Sequence, residues 1–159
     1  MKHLPKHLRP RWRYLAVGLE TWPDADASRR EFQRALWYSA GNLLGDPGSA
    51  DADLSLFDFS FSDGEGEALV RVRHGHVDEA RAAIACISEV GGDPVRVTVR
   101  GISGTVRACE ERYMGRGGGN QVRRDVAFAG SERPAVVRGD AADVDTDAGR
   151  VGATPLDFE

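Results

Sequence analysis

Apolar and polar positions alternate in four segments of the chain. After the first and the third of these segments, apolar residues recur at every third or fourth position, which is the spacing of a helix. The first alternating segment covers residues 13–20 and predicts a strand with one strongly apolar face. A capping box, Ser28-x-x-Glu31, then opens a helical pattern that continues to Gly45. The segment after Gly45 is predicted to be a loop with a short turn of helix. The apolar positions of the strand are Leu15, Val17 and Leu19.

The next part of the pattern repeats as strand, strand, helix and strand. Phenylalanines alternate with polar residues over 57–61, and an Asp-Gly turn at 63–64 leads into a second alternating run. Together these predict a hairpin. A helix is predicted from Val77 to Val90, ended by a Gly-Gly pair, and a fourth strand over 95–99 follows.

This order predicts an α+β protein with the ferredoxin-like, RRM-like βαββαβ sandwich, a four-stranded antiparallel sheet with two helices on one face. Parity then assigns the side chains of each strand to a face. We predict that one tyrosine and four arginines share a contiguous surface on the face opposite the helices, and that the three phenylalanines of residues 57–61 pack under the helices. The residues of that surface are Tyr14, Arg71, Arg73, Arg96 and Arg100.

The stretch "RGISGTVRACEERYM" after the fourth strand predicts a third, C-terminal helix. Ser103 or Thr105 can cap it, and exposed Arg107 faces Glu111 at a favourable spacing. A phosphate-binding loop is not indicated because the GxxxxGK[ST] pattern is missing, and a nucleophilic Ser103 has no histidine close in sequence. An RNA or anion contact at the turn stays open beside the capping role. The predicted apolar side of the helix consists of Ile102, Val106, Cys109 and Tyr113.

The predicted domain covers residues 14–114, between a basic arm over 1–13 and a tail over 115–159. The tail is rich in glycine and aspartate and has few large apolar residues, so we predict that it is disordered. Its arginines at 116, 123 and 124 are an alternative RNA contact.

The charge pattern indicates adaptation to high salt. The 159-residue chain has a formal net charge of −4, only two of its 21 basic residues are lysine, and 15 of its 25 acids are aspartate. Strongly hydrated carboxylates keep a protein dissolved in brine, where the Debye length at about 1 M salt is only about 3 Å. An RNA-binding protein would then depend on close arginine contacts, so an acidic chain does not exclude RNA as a partner.

Several other classes of protein are not indicated. No apolar run is long enough to span a bilayer and no signal peptide precedes the first strand, so we expect a cytoplasmic protein without a membrane role. Cys86 and Cys109 are expected to be buried free thiols. His74 and His76 lack the spacing of a metal site, and no catalytic constellation is recognisable.

The arginine face has two interpretations. It is either a charged sheet surface covered by the third helix or by a protein partner, or a surface that contacts RNA phosphates. The third strand lacks the aromatic residues with which an RRM stacks bases, so phosphate and shape recognition fits better than base reading.

Taken together, these segments resemble the archaeal and eukaryotic ribonuclease P protein family called component 2 in archaea. The resemblance covers residues 9–114. Its most specific part is the Ser-Gly-Thr turn between a valine-rich strand and an Arg/Glu-rich helix. The matching segments are "RPRWRYLAVGLE", "GNLLGDPGSADADLSLFDF", "ALVRVRHGHVDEARAAIACISEV" and "VRVTVRGISGTVRACEERYM".

The resemblance implies a subunit with no catalytic site and no cofactor of its own. In this family the RNA subunit uses Mg²⁺ to remove the 5′ leader from precursor tRNA. The protein pairs with component 3, a TIM-barrel-like subunit, often as a heterotetramer, and the pair supports the RNA. The tail departs from the family pattern.

We therefore predict an RNA-binding accessory subunit of ribonuclease P. One alternative is a ferredoxin-like module that binds a small ligand or oligomerises, and another is a metal-dependent nuclease acting alone. The predicted RNA contacts are Lys2, Lys6, Arg9, Arg11, Arg13, Tyr14, Arg71, Arg73, Arg96, Arg100, Ser103, Thr105 and Arg107.

Overall fold

The computed structural model describes residues 3–115 and 121–159, which contain three α-helices, ten strands and two short 3-10 turns. The helices are α1 (Arg29–Ala52), α2 (Val77–Ala85) and α3 (Val106–Tyr113). The strands are β1 (Trp12–Glu20), β2 (Ser55–Ser62), β3 (Glu65–Arg73), β4 (Glu89–Val90), β5 (Asp93–Pro94), β6 (Arg96–Ser103), β7 (Gln121–Phe128), β8 (Ser131–Arg138), β9 (Ala141–Thr146) and β10 (Gly149–Ala153).

The N-terminal part is a mixed α+β layer structure. Its main sheet has the order β2-β3-β1-β6 with antiparallel neighbours, and α1 and α2 pack together over one face. The predicted α+β class is confirmed, and the element and strand order is compatible with the ferredoxin-like arrangement. The two-residue turn of the β2–β3 hairpin uses Asp63 and Gly64, both with positive φ, as the sequence predicts. Fully buried members of the core include Leu15, Phe32, Leu36, Val70 and Ile84.

The two helices over the core begin where the sequence predicts but end at other residues than predicted. The Ser28 hydroxyl accepts from the Glu31 backbone N–H at 3.2 Å, and the Ser28 N–H donates to the Glu31 carboxylate at 3.0 Å, which lowers the pKa of Glu31. Gly45 has φ 71° and kinks α1, which then continues to Ala52. α2 ends before Ile87, earlier than predicted, because the following residues turn back as the β4–β5 pair. Ile87 and Val90 are nevertheless buried in the core.

Two register shifts redirect side chains that simple alternation assigns to the wrong face. One lies between Leu56 and Asp58 of β2, and it leaves Phe57 out of the pairing, 45% exposed and against Tyr14. The other lies on β6, opposite Ala16 and Val17, and it turns Ile102 into the core under α1 and α2. The predictions that Phe57 packs under the helices and that Ile102 belongs to the third helix are therefore wrong.

Helix α3 lies on the other face of the sheet. The Thr105 hydroxyl caps it by accepting from the Ala108 N–H at 3.2 Å, so of the two predicted caps the structure uses Thr105. Cys109 is fully buried against Ala16 and Leu69 at the centre of the sheet. The Tyr113 ring lies where a β-carbon on Gly101 would be, so this close approach requires glycine.

The prediction of a disordered tail is wrong for residues 121–153, which form a second antiparallel sheet with the order β10-β9-β8-β7. A small cluster, Val126, Ala135, Val144 and Ala153, forms its interior with Phe158 packed against it. Among the described residues, no helix is long and apolar enough to cross a membrane.

The second sheet is attached to the first by a row of ion pairs, which we call the ionic seam. Arg138, with its side chain only 5% exposed, contacts Asp143 at 2.7 Å and Glu65 at 3.3 Å and donates to the Thr21 carbonyl. Arg96 joins Asp143 at 2.6 Å to Glu20 at 2.8 Å. Each arginine of the seam therefore bonds to both sheets.

Replacing Arg138 by alanine should destabilise the protein by about 1–3 kcal/mol, because the buried Thr21 carbonyl loses its donor and Asp143 keeps only Arg96 as a cationic partner. Denaturant unfolding in molar KCl measures this. The control is Arg133→Ala, since Arg133 pairs with exposed Asp147 and its loss should have a much smaller effect. Equal effects of the two substitutions would show that the seam does not hold the sheets together.

Thiol labelling tests the placement of α3. Cys86 is exposed, contrary to the predicted burial of both cysteines, whereas Cys109 faces the sheet from α3 and burial raises the pKa of its thiol. In the native protein a soluble alkylating reagent should modify Cys86 alone, and both thiols after unfolding. Rapid native labelling of Cys109, measured by mass spectrometry, would contradict the packing of α3 on the sheet.

Candidate nucleic-acid interface

Helix α3 divides the sheet face that carries the predicted arginines. Parity is right for Arg71, Arg73, Arg96 and Arg100, which all project on the face opposite α1 and α2. The prediction that they share one contiguous surface is wrong, because the β1 and β3 positions between them, around Ala16, lie under α3. One end of the face holds Arg71 and Arg73, and the other holds Arg96 and Arg100.

At the end occupied by Arg96 and Arg100, the guanidinium groups form ion pairs with carboxylates of the protein itself. Arg100 contacts Glu67 at 2.6 Å, and its guanidinium lies over Gly18, where a β-carbon would approach it to 2.7 Å. Arg96 belongs to the ionic seam with Glu20 and the second sheet. Because both groups are neutralised and mostly buried, this end offers little positive charge to a ligand.

The opposite end of the face combines aromatic rings with arginines, and we call it the sheet-end cluster, made of Trp12, Tyr14, Phe57, Arg71 and Arg73. The Arg71 guanidinium lies 4.1 Å from the Trp12 ring centroid, and that of Arg73 lies 5.8 Å away. Tyr14 and Phe57 meet edge to face, with centroids 5.8 Å apart and planes at 82°.

The cluster has unused positive charge. Arg71 forms no ion pair within residues 3–115 and 121–159, and its buried Nε has no hydrogen-bond partner there. Arg73 approaches Asp53 at 3.7 Å, and both side chains are about half exposed. An exposed pair at this distance contributes little, so Arg73 can exchange Asp53 for a phosphate.

The turn before α3 lies beside the sheet-end cluster. Ser103 pairs with Tyr14 across the strands and is buried, while Thr105 is occupied by its capping bond. Arg13 extends from β1 to within 3.5 Å of the β-carbon position of Gly104. Arg13, which is predicted as part of the basic arm, therefore reaches this turn.

The other predicted contacts are more dispersed. Lys2 lies outside the described residues. Lys6 belongs to a 3-10 turn, Arg9 donates to the Leu4 carbonyl at 2.8 Å, and Arg11 is exposed where the arm joins β1. Arg107 is on α3 and pairs with Glu111 at 2.8 Å as predicted, in an exposed position.

Two of the three tail arginines, Arg123 and Arg124, contact other residues of the protein. Arg116 lies outside the described residues. Arg123 pairs with Asp24 at 3.1 Å, and Arg124 lies over the Phe158 ring at 5.7 Å. They do not extend the sheet-end cluster.

Sequence reasoning missed Trp12 and Phe57. Trp12 had a readable signal, since it stands between Arg11 and Arg13 at the start of a strand. No local pattern indicates the position of Phe57, because a register shift in β2 determines the sheet face on which it lies. The aromatic rings of the cluster come from β1 and β2, whereas the sequence analysis considered only the third strand.

The aromatic rings and arginines of the sheet-end cluster are suited to binding. Among the described residues, no group of three or more His, Cys, Asp or Glu side chains is placed to hold a metal ion. A groove of about 530 Å³ lies away from the sheet-end cluster, between α1 and the segment after α2. It is lined by residues that include Tyr38, Leu43, Cys86 and Ile87.

Comparison with known proteins identifies a family. The family model described as Rpp14/Pop5 matches residues 13–114. A ribonuclease P protein component 2 from Halorubrum lacusprofundi is 74% identical over the full length of both chains. The protein of that name from Natronomonas pharaonis is 61% identical over 99% of this chain and 98% of its own. These sources agree with the adaptation to high salt that the composition predicts.

A more distant relative matches a smaller part of the chain. The ribonuclease P protein component 2 from Methanosarcina mazei is 32% identical over 72% of this chain and 93% of its own length. The family model ends at Met114, so the second sheet lies beyond the part of the chain that defines the family.

Proposed function

The chain belongs to the Rpp14/Pop5 family and is a protein subunit of ribonuclease P in tRNA processing, and we propose that it binds the catalytic RNA without adding a reactive group. The observation that carries this proposal is the 74% identity over the whole length to a ribonuclease P protein component 2. The reaction assigned to the complex is endonucleolytic removal of the 5′ leader from precursor tRNA, with Mg²⁺ bound by the RNA.

The sheet-end cluster and Arg13 are the proposed RNA surface, with the basic arm beside them. Guanidinium groups bond phosphate oxygens through two parallel N–H donors, a contact at short range that survives in concentrated salt. Bridging crowded phosphates would stabilise the active RNA conformation and lower the Mg²⁺ concentration that it needs. Arg96 and Arg100 are assigned a structural role instead, since their partners lie within the protein.

The family resemblance supports the finer features of the assembly. We propose that the N-terminal sandwich is ferredoxin-like and that it pairs with a TIM-barrel-like component 3 subunit as a heterotetramer in the cytoplasm. The rival proposals, a ligand-binding module and an independent nuclease, have less support, because full-length relatives carry the ribonuclease P name.

Replacing Arg71 and Arg73 together by alanine should reduce the affinity for ribonuclease P RNA about tenfold, since two charged contacts to phosphates are lost. Filter binding in molar KCl measures the affinity. Cleavage of precursor tRNA by the reconstituted enzyme should fall most at limiting Mg²⁺. The matched control is Arg30→Ala with Arg81→Ala, two exposed arginines on the helices of the other face.

Unchanged affinity and cleavage in a folded Arg71/Arg73 variant would remove the sheet-end cluster from the RNA surface. An equal loss in the control variant would show that total charge, rather than this location, determines binding.

A further inference from the structure

Phe57 is held in an exposed position by its surroundings. The register shift in β2 leaves it unpaired, and the Arg29 guanidinium donates to the carbonyls of Leu56 and Phe57 at 3.0 and 3.2 Å. These bonds fix the bulged backbone from the side of α1. The Phe57 ring therefore stands at a defined place on the face that carries α3, with 45% of the residue exposed.

The neighbours of Phe57 leave its ring available for stacking. Trp12 is already covered by Arg71, and Tyr14 is partly buried beside α3 with Phe57 against it at 82°. The edge-to-face contact with Tyr14 orients the Phe57 ring, and part of the Phe57 ring remains exposed to solvent. Phe57 is thus the accessible aromatic ring of the sheet-end cluster.

Positive charge adjoins this ring. Ser55, two residues before Phe57, pairs with Arg71 across the strands, and Arg71 and Arg73 both project from β3 on the same face. An exposed ring beside arginines matches the two parts of a nucleotide, a base with a π face and a phosphate with two acceptor oxygens. A purely apolar protein partner would leave the Arg71 guanidinium without a partner.

We propose that the sheet-end cluster binds a nucleotide with an unpaired base, which stacks on Phe57 while Arg71 and Arg73 contact its backbone phosphate. This inference rests on the proposed function and adds the kind of RNA that is bound. A base within a continuous helix has both faces covered by its neighbours, whereas a base in a loop, bulge or strand end can be turned outwards. The site therefore selects single-stranded or bulged RNA over duplex.

The test compares Phe57→Leu with Phe57→Tyr in the full-length protein. The probe is a single-stranded oligoadenylate of roughly ten nucleotides, within the usual site sizes for such RNA, and fluorescence anisotropy in molar KCl reports binding. Leucine keeps an apolar side chain but removes the π face, so binding should weaken about tenfold. Tyrosine keeps the ring and should bind within about twofold of the original protein.

An RNA duplex of the same length is the second probe. It should bind more weakly than the single strand, and with the same affinity to both variants. Binding of the single strand by Phe57→Leu as tightly as by the original protein would overturn the proposal. Equal losses for single strand and duplex would also overturn it, because they would indicate a general change of the surface.

The same variants separate this proposal from the proposed function. If Phe57→Leu binds normally while the Arg71/Arg73 variant loses ribonuclease P RNA, stacking is refuted and the RNA-binding role stands. If all variants keep full affinity for ribonuclease P RNA, the location of the RNA surface fails as well. Thermal unfolding confirms that each variant is folded, which is expected because Phe57 is exposed.

Discussion

The packing of α3 across the centre of the main sheet determines how the rest of the surface is used. The contact needs small residues beneath the helix, and Ala16 and Gly101 supply them. Once the helix is in place, the arginines on this face belong to two separate groups. One group forms ion pairs within the protein, and the other lies beside aromatic rings.

The two ends of the sheet use arginine in different ways. In the ionic seam, Arg96 and Arg138 connect the two sheets through carboxylates that are partly buried. Partly buried pairs are screened less by salt than exposed ones, which suits a protein adapted to brine. At the sheet-end cluster, Arg71 is stacked on Trp12 and has no carboxylate partner among the described residues. A charge held in place but not neutralised is available to an RNA phosphate.

Much of the main domain could be predicted from local patterns. Strand alternation, the Ser28 capping box, the Asp-Gly turn and the Thr105 cap each depend on a few neighbouring residues, and the structure contains all of them. The register shifts could not be predicted, because they depend on pairing between distant strands. They decide the positions of Phe57 and Ile102.

The second sheet was not predicted, for a different reason. Its interior is built from small apolar residues such as Ala135 and Val144, which give a weak alternating signal among aspartates and glycines. Its attachment depends on contacts such as that of Arg138 with Glu65, far apart in sequence. Composition alone therefore indicated disorder where long-range pairing produces order.

RNA is expected to bind at the sheet-end cluster, on one side of α3, and not at the end closed by the second sheet. Hydrogen–deuterium exchange of the full-length protein, measured with and without ribonuclease P RNA in molar KCl, distinguishes the two locations. Bound RNA should slow exchange at the start of β1, around the β2 bulge and at the end of β3. Slower exchange confined to the start of β6 and to the second sheet would contradict it.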